Sequence, residues 1–389
     1  MLPFVRMLEY GNLAPVPSVV FNRNLQTQYN NVMYLDSTGD LYGYGWNNYG
    51  QMGLGDNSVK RLFSLLHSDV VAYWTGVHGA FLITSTGRIK YTGSNSAFPQ
   101  IGSTNIYTWT DVTSIFDNLS VSYTDIKEIS ISVSVRILLH DGRLLACGRN
   151  YYGECGDGTS TPISTLRVMP INGIDNMYCS FWGTHFVKGT DSYFIGRNKS
   201  GAGGTGDIVD AIISTPKKTF SNVGHISTLD DITWWFANGR TYWSGSNSNY
   251  QAGNGSNTNT PQLVPVLNPA VGIPEDTYNT TLQSPSSVTN SSIGSPIISY
   301  EAYVRVSGRN DYGQCGNGSY TAVPNLYLMP ITVLGGWENV LYVSRDVVLS
   351  AIITKDGKLY MCGGYGDTYL ADRSINVISL KLMENMPWY

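Results

Sequence analysis

The chain has 389 residues, 42% of them hydrophobic and only 13% charged, with a net charge of −4 and a pI near 5.7. The charged share is about half that of an ordinary globular domain, and no Lys/Arg cluster is present, which argues against nucleic acid as the main partner. No apolar run reaches the roughly 18 residues that span a bilayer, and the opening "MLPFVRMLEY" lacks a basic stretch followed by an apolar one, so neither membrane insertion nor a secretory signal is expected.

In chain order, residues 1–30 form a leading segment without a clear pattern, assigned to ring closure or docking once the rest is read. "LDSTGDLYGYG" then ends at Gly45 and runs into "GWNNYGQMGLG", which carries Gly50 and Gly55. "ITSTGRIKYTG" ends at Gly93 and runs into "GSNSAFPQIGS". "LLHDGRLLACG" ends at Gly148, before "GRNYYGECGDG" with Gly153 and Gly158. "FVKGTDSYFIG" and "WFANGRTYWSG" end at Gly196 and Gly245, followed by "GRNKSGAGGTG" and "GSNSNYQAGNG". "IISYEAYVRVSG" ends at Gly308 and leads into "GRNDYGQCGNG" with Gly313 and Gly318, and "IITKDGKLYMCG" ends at Gly363. Each unit reads as strand, tight turn, strand, because D-G and N-G between β-rich runs are strong hairpin signals. Only the sixth lacks the glycine turn.

The anchor glycines are spaced by 48, 55, 48, 49, 63 and 55 residues. Seven hairpins at a period of about 50 predict a radial all-β array, a seven-bladed propeller. Forty-four residues precede the first anchor and 26 follow the last, so the N- and C-terminal strands are expected to share a blade and close the ring, which would remove free sheet edges. Residues 31–389 then form one propeller domain. The repeated glycines are expected to build rather than react, at positive φ or at close backbone contacts, with the asparagines bonding their own loops. A phosphate cradle is excluded because G-x-G-x-x-G would have to open a helix.

The unit of strand, D-G-R turn, strand and G-x-N-x-x-G-Q-x-G-x-G, as in "LDSTGDLYGYGWNNYGQMGLGDNS" and "LLHDGRLLACGRNYYGECGDGTSTP", resembles the regulator of chromosome condensation repeat, from about residue 30 to the C-terminus. The segments "GVHGAFLIT" and "GTHFVK" resemble its G-x-H strand. The resemblance implies a seven-bladed propeller and guanine-nucleotide exchange on a small GTPase with chromatin docking. No individual exchange residue is carried over, and there is no basic tail to hold DNA.

Nothing in the sequence assembles a catalytic or metal site, and no cofactor is expected. The five histidines include no i, i+4 pair with a Glu. His78 and His185 are read as equivalent repeat positions with a structural role. Cys147 with Cys362, and Cys155 with Cys315, recur at matching positions, as small buried residues do. The odd count of five argues against a disulfide framework.

Two stretches break the period. Residues 105–125 carry Tyr107, Trp109, Phe116 and Tyr123, and residues 266–294 are rich in Pro, Ser, Thr and Asn and contain Tyr278. Long irregular loops carry function more often than a packed core does, so these five aromatics are the candidate binding rim. Together with low charge and Tyr/Asn/Ser/Gly loops, which suit adaptable recognition, they lead to a non-enzymatic binding module. The expected setting is a bacteriophage virion, as a tail structural or receptor-binding protein folded in the host cytoplasm, with other virion proteins or a host-surface receptor as partners in a larger assembly. The alternative is a cytoplasmic regulatory scaffold or exchange-factor-like protein.

Overall fold

The computed structural model describes residues 25–28, 31–207, 212–229, 231–237, 240–265, 287–289, 294–300, 303–329, 332–334, 339–345, 349–363 and 377–383. These residues build seven four-stranded sheets, each from four consecutive antiparallel strands. The sheets are blades one to seven, spanning 25–67, 70–111, 126–168, 176–220, 223–265, 287–328 and 340–382. The seven-bladed all-β architecture expected from the repeat is therefore present.

The hairpins visible in the sequence are the second and third strands of each blade. In blade two these are Gly79–Thr84 and Ile89–Gly93, with all six residues of the former buried. The outer pair of strands, Val70–Thr75 and Ile106–Asp111, flanks them. First strands of neighbouring blades pack on one another, including those of blades seven and one, so the first strand of each blade lies innermost. Fourth strands sit outside; Lys60–His67 and Ile106–Asp111 are almost wholly half-buried or exposed.

One register rule sets the repeat. The anchor glycine pairs with the first residue of the preceding strand, as in Gly79 with Gly93, Ser134 with Gly148 and Gly183 with Gly196. At Gly93 (φ +127°) a Cβ would collide with the Cα of Gly79, so only glycine allows this approach. The register also corrects one sequence expectation. His78 precedes Gly79, whereas His185 lies two residues after the matching Gly183, so the two histidines are not equivalent. His78 sits in a loop and His185 in a strand.

The two ends meet differently from the expected shared blade. Leu25–Gln28 is the first strand of blade one, Val377–Leu382 is the fourth strand of blade seven, and among the described residues they do not pair in a common sheet. Each of the seven sheets is built from four consecutive strands, so among the described residues no strand is borrowed. Contact comes from side chains instead: Leu25, Val32 and Tyr44 share one core cluster with Ala351, Ile353, Leu359, Met361 and Met383. The largest cluster runs through blades two to four, where Phe81, Tyr91 and Phe98 pack in tilted and edge-on pairs with centroids 4.8 to 5.3 Å apart.

The stretch 105–125 is more regular than its sequence suggests. It contains the fourth strand of blade two, the short helix Thr113–Asp117 and a 3-10 turn over Tyr123–Asp125. Of 266–294, only 287–289 and 294 are described, as parts of two strands of blade six.

Candidate functional site: an aromatic and arginine cluster on the glycine-loop face

In a sheet of four consecutive antiparallel strands, the links from first to second and from third to fourth strand emerge at the same end. One face of the molecule therefore carries all the glycine-rich loops together with the short inner links. The opposite face carries the D-G turns.

The glycine-rich loops follow one hydrogen-bond scheme. Buried Asn150 accepts from the Cys155 N–H at Oδ1 (2.9 Å) and donates from Nδ2 to Asp157 Oδ1 (2.9 Å) and to the Thr159 and Thr161 carbonyls (3.2 Å each). Asn310 repeats this with the Cys315 N–H (2.8 Å), Asn317 Oδ1 (2.9 Å) and the Ser319 carbonyl (2.8 Å). Asn47, Asn198 and Asn247 likewise accept from the backbone N–H five residues on. The Gln or Glu of the motif turns inward as well, so that Gln314 Oε1 accepts from the Tyr312 N–H at 3.0 Å. Its carbonyl then ties the loop to the next blade by accepting from Ser350 Oγ at 2.6 Å, as the Glu154 carbonyl does from Thr184 Oγ1 at 2.8 Å. A buried polar group that is fully bonded in this way specifies one loop shape.

The nine glycines expected to build this scaffold lie at positive φ: Gly45 (104°), Gly50 (78°), Gly55 (87°), Gly148 (99°), Gly153 (73°), Gly158 (83°), Gly308 (93°), Gly313 (77°) and Gly318 (77°).

The candidate rim aromatics separate. Tyr107 and Trp109 lie on the fourth strand of blade two and pack back onto the loop of blade one, where a Cβ on Gly50 would sit 2.9 Å from the Tyr107 Cα and one on Gly53 would meet the Trp109 indole. Tyr107 keeps 37% of its surface exposed, while the Trp109 Nε1 is buried without a hydrogen-bond partner among the described residues. Phe116 is fully buried in the core, 6.4 Å from Phe81 between ring centroids. Tyr123 packs against that core, beside the turn at Gly87. Tyr278 lies outside the described residues. The four described residues do not converge on one place.

What does converge is a set the sequence reading did not single out. Between the first two strands of blade four, "CSFWGTH" puts Phe181 and Trp182 on the glycine-loop face. Their rings lie 5.4 Å apart, and Tyr152 of the blade-three loop meets Trp182 edge-on at 5.3 Å. Phe181 lies 5.8 Å from His78 of blade two, and His78 packs at a tilt against Tyr49 of blade one (4.5 Å). A chain of rings thus crosses four blades.

Two arginines are set into it. Arg149 Cζ lies 4.6 Å from the Trp182 centroid and 5.6 Å from those of Tyr152 and Phe181; Arg197 Cζ lies 5.0 Å from Tyr152 and 5.5 Å from Trp182. Arg149 also donates to Glu154 Oε1 (3.2 Å) and to the Phe181 carbonyl (3.0 Å). Glu154 is fully buried, and its other oxygen accepts from the Tyr152 N–H at 2.8 Å.

Below the cluster, the fully buried Arg136 of blade three donates to the carbonyls of Ser180 and Gly183 (2.9 Å each), to Thr184 Oγ1 (2.8 Å) and to Ser132 Oγ (2.8 Å). It grips both ends of the link that presents Phe181 and Trp182. A sequence signal existed for part of this site. Arg149, Arg197 and Arg309 follow their anchor glycines where the other units have Trp, Ser or Gly.

Burial shifts the titratable groups nearby. Burial, with the Arg149 charge, holds the His78 imidazole down to about 4 against an opposing bond from Ser132. Burial lowers His185 to about 3 and pushes the Cys155 thiol up to about 12. A protonated, buried thiol is a poor nucleophile. Among the described residues no group of three or more His, Cys, Asp or Glu could hold a metal ion.

No family model and no curated protein matches the chain. Among solved structures it is similar to human WBSCR16, at 16% identity and a TM-score of 0.72 over 90% of this chain and 95% of that one. It is also similar to yeast RCC1 (Prp20) bound to Kap60, at 16% identity and a TM-score of 0.52 over 93% and 74%. The Saccharomyces cerevisiae Prp20p structure, described with its binding to Gsp1p and histones, gives 15% identity and a TM-score of 0.52 over 93% and 76%. At these identities the likeness speaks for the fold: the chain is similar to RCC1-family propellers along nearly its whole length.

Proposed function

We propose that this chain is a non-enzymatic propeller that holds a protein partner on its glycine-loop face, as a cytoplasmic regulatory scaffold. The observation that carries this reading is the aromatic and arginine cluster. Half-buried rings and pre-stacked guanidinium groups on a rigid support are what protein recognition uses for its anchors. Exposed Tyr151, at 57%, adjoins the cluster, and Tyr107 extends the same face outward. Of the two settings expected from the sequence, the scaffold or exchange-factor-like one has support from the structural likenesses. Prp20 has been solved with Kap60 bound, whereas the virion setting gains nothing from these likenesses.

A photo-crosslinking amino acid at Tyr151, compared with one at Thr86 in a turn of the opposite face, tests this in cells. Adducts to a protein partner from position 151 and not from 86 are expected. Equal adducts from both positions, or none from 151, would reject the assigned face. Accelerated nucleotide release from a purified small GTPase would make the scaffold an exchange factor instead.

A further inference from the structure

Resting on that reading, we propose that the partner is recognised through proline: the rings of Tyr49, Phe181, Trp182 and Tyr152 form a docking site for a proline-rich segment of a protein partner, bound as an extended polyproline II helix.

Hydrogen-bond complementarity points this way. Among the described residues, the Trp182 Nε1–H, the Arg149 Nη1 and the hydroxyls of Tyr49, Tyr151 and Tyr152 make no hydrogen bond. Indole and guanidinium groups can only donate. Glu154, the carboxylate beside Arg149, is fully buried with both oxygens engaged, so it offers no acceptor. A matching ligand therefore brings acceptors and few donors of its own. Each proline has a backbone carbonyl and no N–H. In a polyproline II helix no carbonyl is spent on an internal bond.

Scale and stiffness agree. Trp182 lies 5.3 Å from Tyr152 and 5.4 Å from Phe181 between ring centroids. Buried His78 joins Phe181 to Tyr49 in steps of 5.8 and 4.5 Å. Two residues of polyproline II advance about 6 Å, so a segment of at most about eight residues covers the row. Pyrrolidine rings pack on aromatic faces, and the helix is ordered before it binds, which keeps the entropy cost low. Arg149 is ordered as well. Its Nε donates to Glu154 Oε1 (3.2 Å) and its Nη2 to the Phe181 carbonyl (3.0 Å). Its charge is thus met by Glu154, and Nη1 remains for a neutral carbonyl of the segment without further ordering.

A sugar also stacks on aromatic faces. Each hydroxyl it brings is a donor as well as an acceptor, and Glu154 has no open oxygen to receive one. A chain of tertiary amides is the better match.

Fluorescence anisotropy with the full chain tests this, using labelled decaproline, a labelled Gly/Ser decapeptide and a labelled Asp/Glu-rich decapeptide. Decaproline is expected to bind at least about tenfold more tightly than either other probe and to weaken about tenfold in Trp182→Ala. It is expected to weaken less in Trp182→Phe, which keeps a ring and loses the N–H. Equal binding of the Gly/Ser peptide, tighter binding of the acidic peptide, or unchanged affinity in Trp182→Ala overturns the proposal. Should the variants fail to fold, hydrogen exchange on the wild-type chain decides: slowing at 149–153 and 180–183 with decaproline supports the site, and no slowing rejects it. No decaproline binding together with partner cross-links from position 151 removes the proline assignment alone. Loss of both removes the face.

Discussion

Asn150 and Gly153 show how single residues fix a glycine-rich loop. Asn150 joins four points of the loop through one side chain. Alanine there leaves the buried Cys155 N–H and the loop carbonyls without partners, so Asn150→Ala is expected to cost roughly 2–4 kcal/mol in urea unfolding. The glycines divide by environment. At Gly153 (φ +73°) a Cβ would stand 2.8 Å from the Ser214 Cα of the next blade, whereas at Gly158 (φ +83°) it would meet open space. Both substitutions to alanine incur the left-handed backbone cost of about 1 kcal/mol, but only Gly153→Ala must also push two backbones apart. Gly153→Ala is therefore expected to lower the melting temperature clearly more than Gly158→Ala. Equal shifts would mean that the blades do not approach this closely.

At the scale of elements, the hairpins were legible and the fourth strands were not. A glycine turn between apolar strands is a local signal, and it marks the second and third strands of six blades, as D-G or N-G in three of them. Fourth strands such as Ile163–Val168, buried only at Ile163 and Leu166, carry neither a turn signature nor strict alternation. For the same reason Ile106–Asp111, with Tyr107 and Trp109, read as part of an irregular insertion. The cluster was illegible because it is assembled from Tyr49, His78, Arg149, Tyr152, Phe181, Trp182 and Arg197, which lie in four different blades, and no local pattern joins them. Arg136 links elements in the same non-local way. Its two terminal nitrogens make four hydrogen bonds, three of them to blade four or its inner link. Arg136→Met is expected to cost roughly 2–4 kcal/mol and to speed hydrogen exchange at 180–183 more than at the equivalent link 76–78. Uniform acceleration at both links would mean that Arg136 stabilises the ring generally and does not position this link.

For the whole molecule, counting residues at the two ends suggested a shared blade, because the count cannot tell strand pairing from side-chain packing. Leu25 and Met383 instead meet in the core between blades one and seven. A ring held by packed side chains responds as a unit to charges forced into its interior, and the two buried histidines provide such a test. Their ordinary value is 6.5, and in the fold burial holds His78 to about 4 and His185 to about 3. Between pH 6.5 and about 4 the unfolded chain binds more protons than the native one, so the free energy of unfolding falls as the pH drops. The slope approaches about 1.4 kcal/mol per pH unit for each histidine. Stability is thus fully present above pH 6.5 and lost on acidification. Asp56 and Asp356, held to about 2 first by hydrogen bonds from Lys60 and Lys358, act only in the separate window below 3.8. Urea unfolding at pH 7 and pH 5 is expected to show the loss, and His185→Gln is expected to remove about half of it, since a neutral amide has no proton to gain. A profile that stays flat between pH 7 and pH 5 would mean that neither imidazole is shielded from water and that the packing around blades two to five is looser than described.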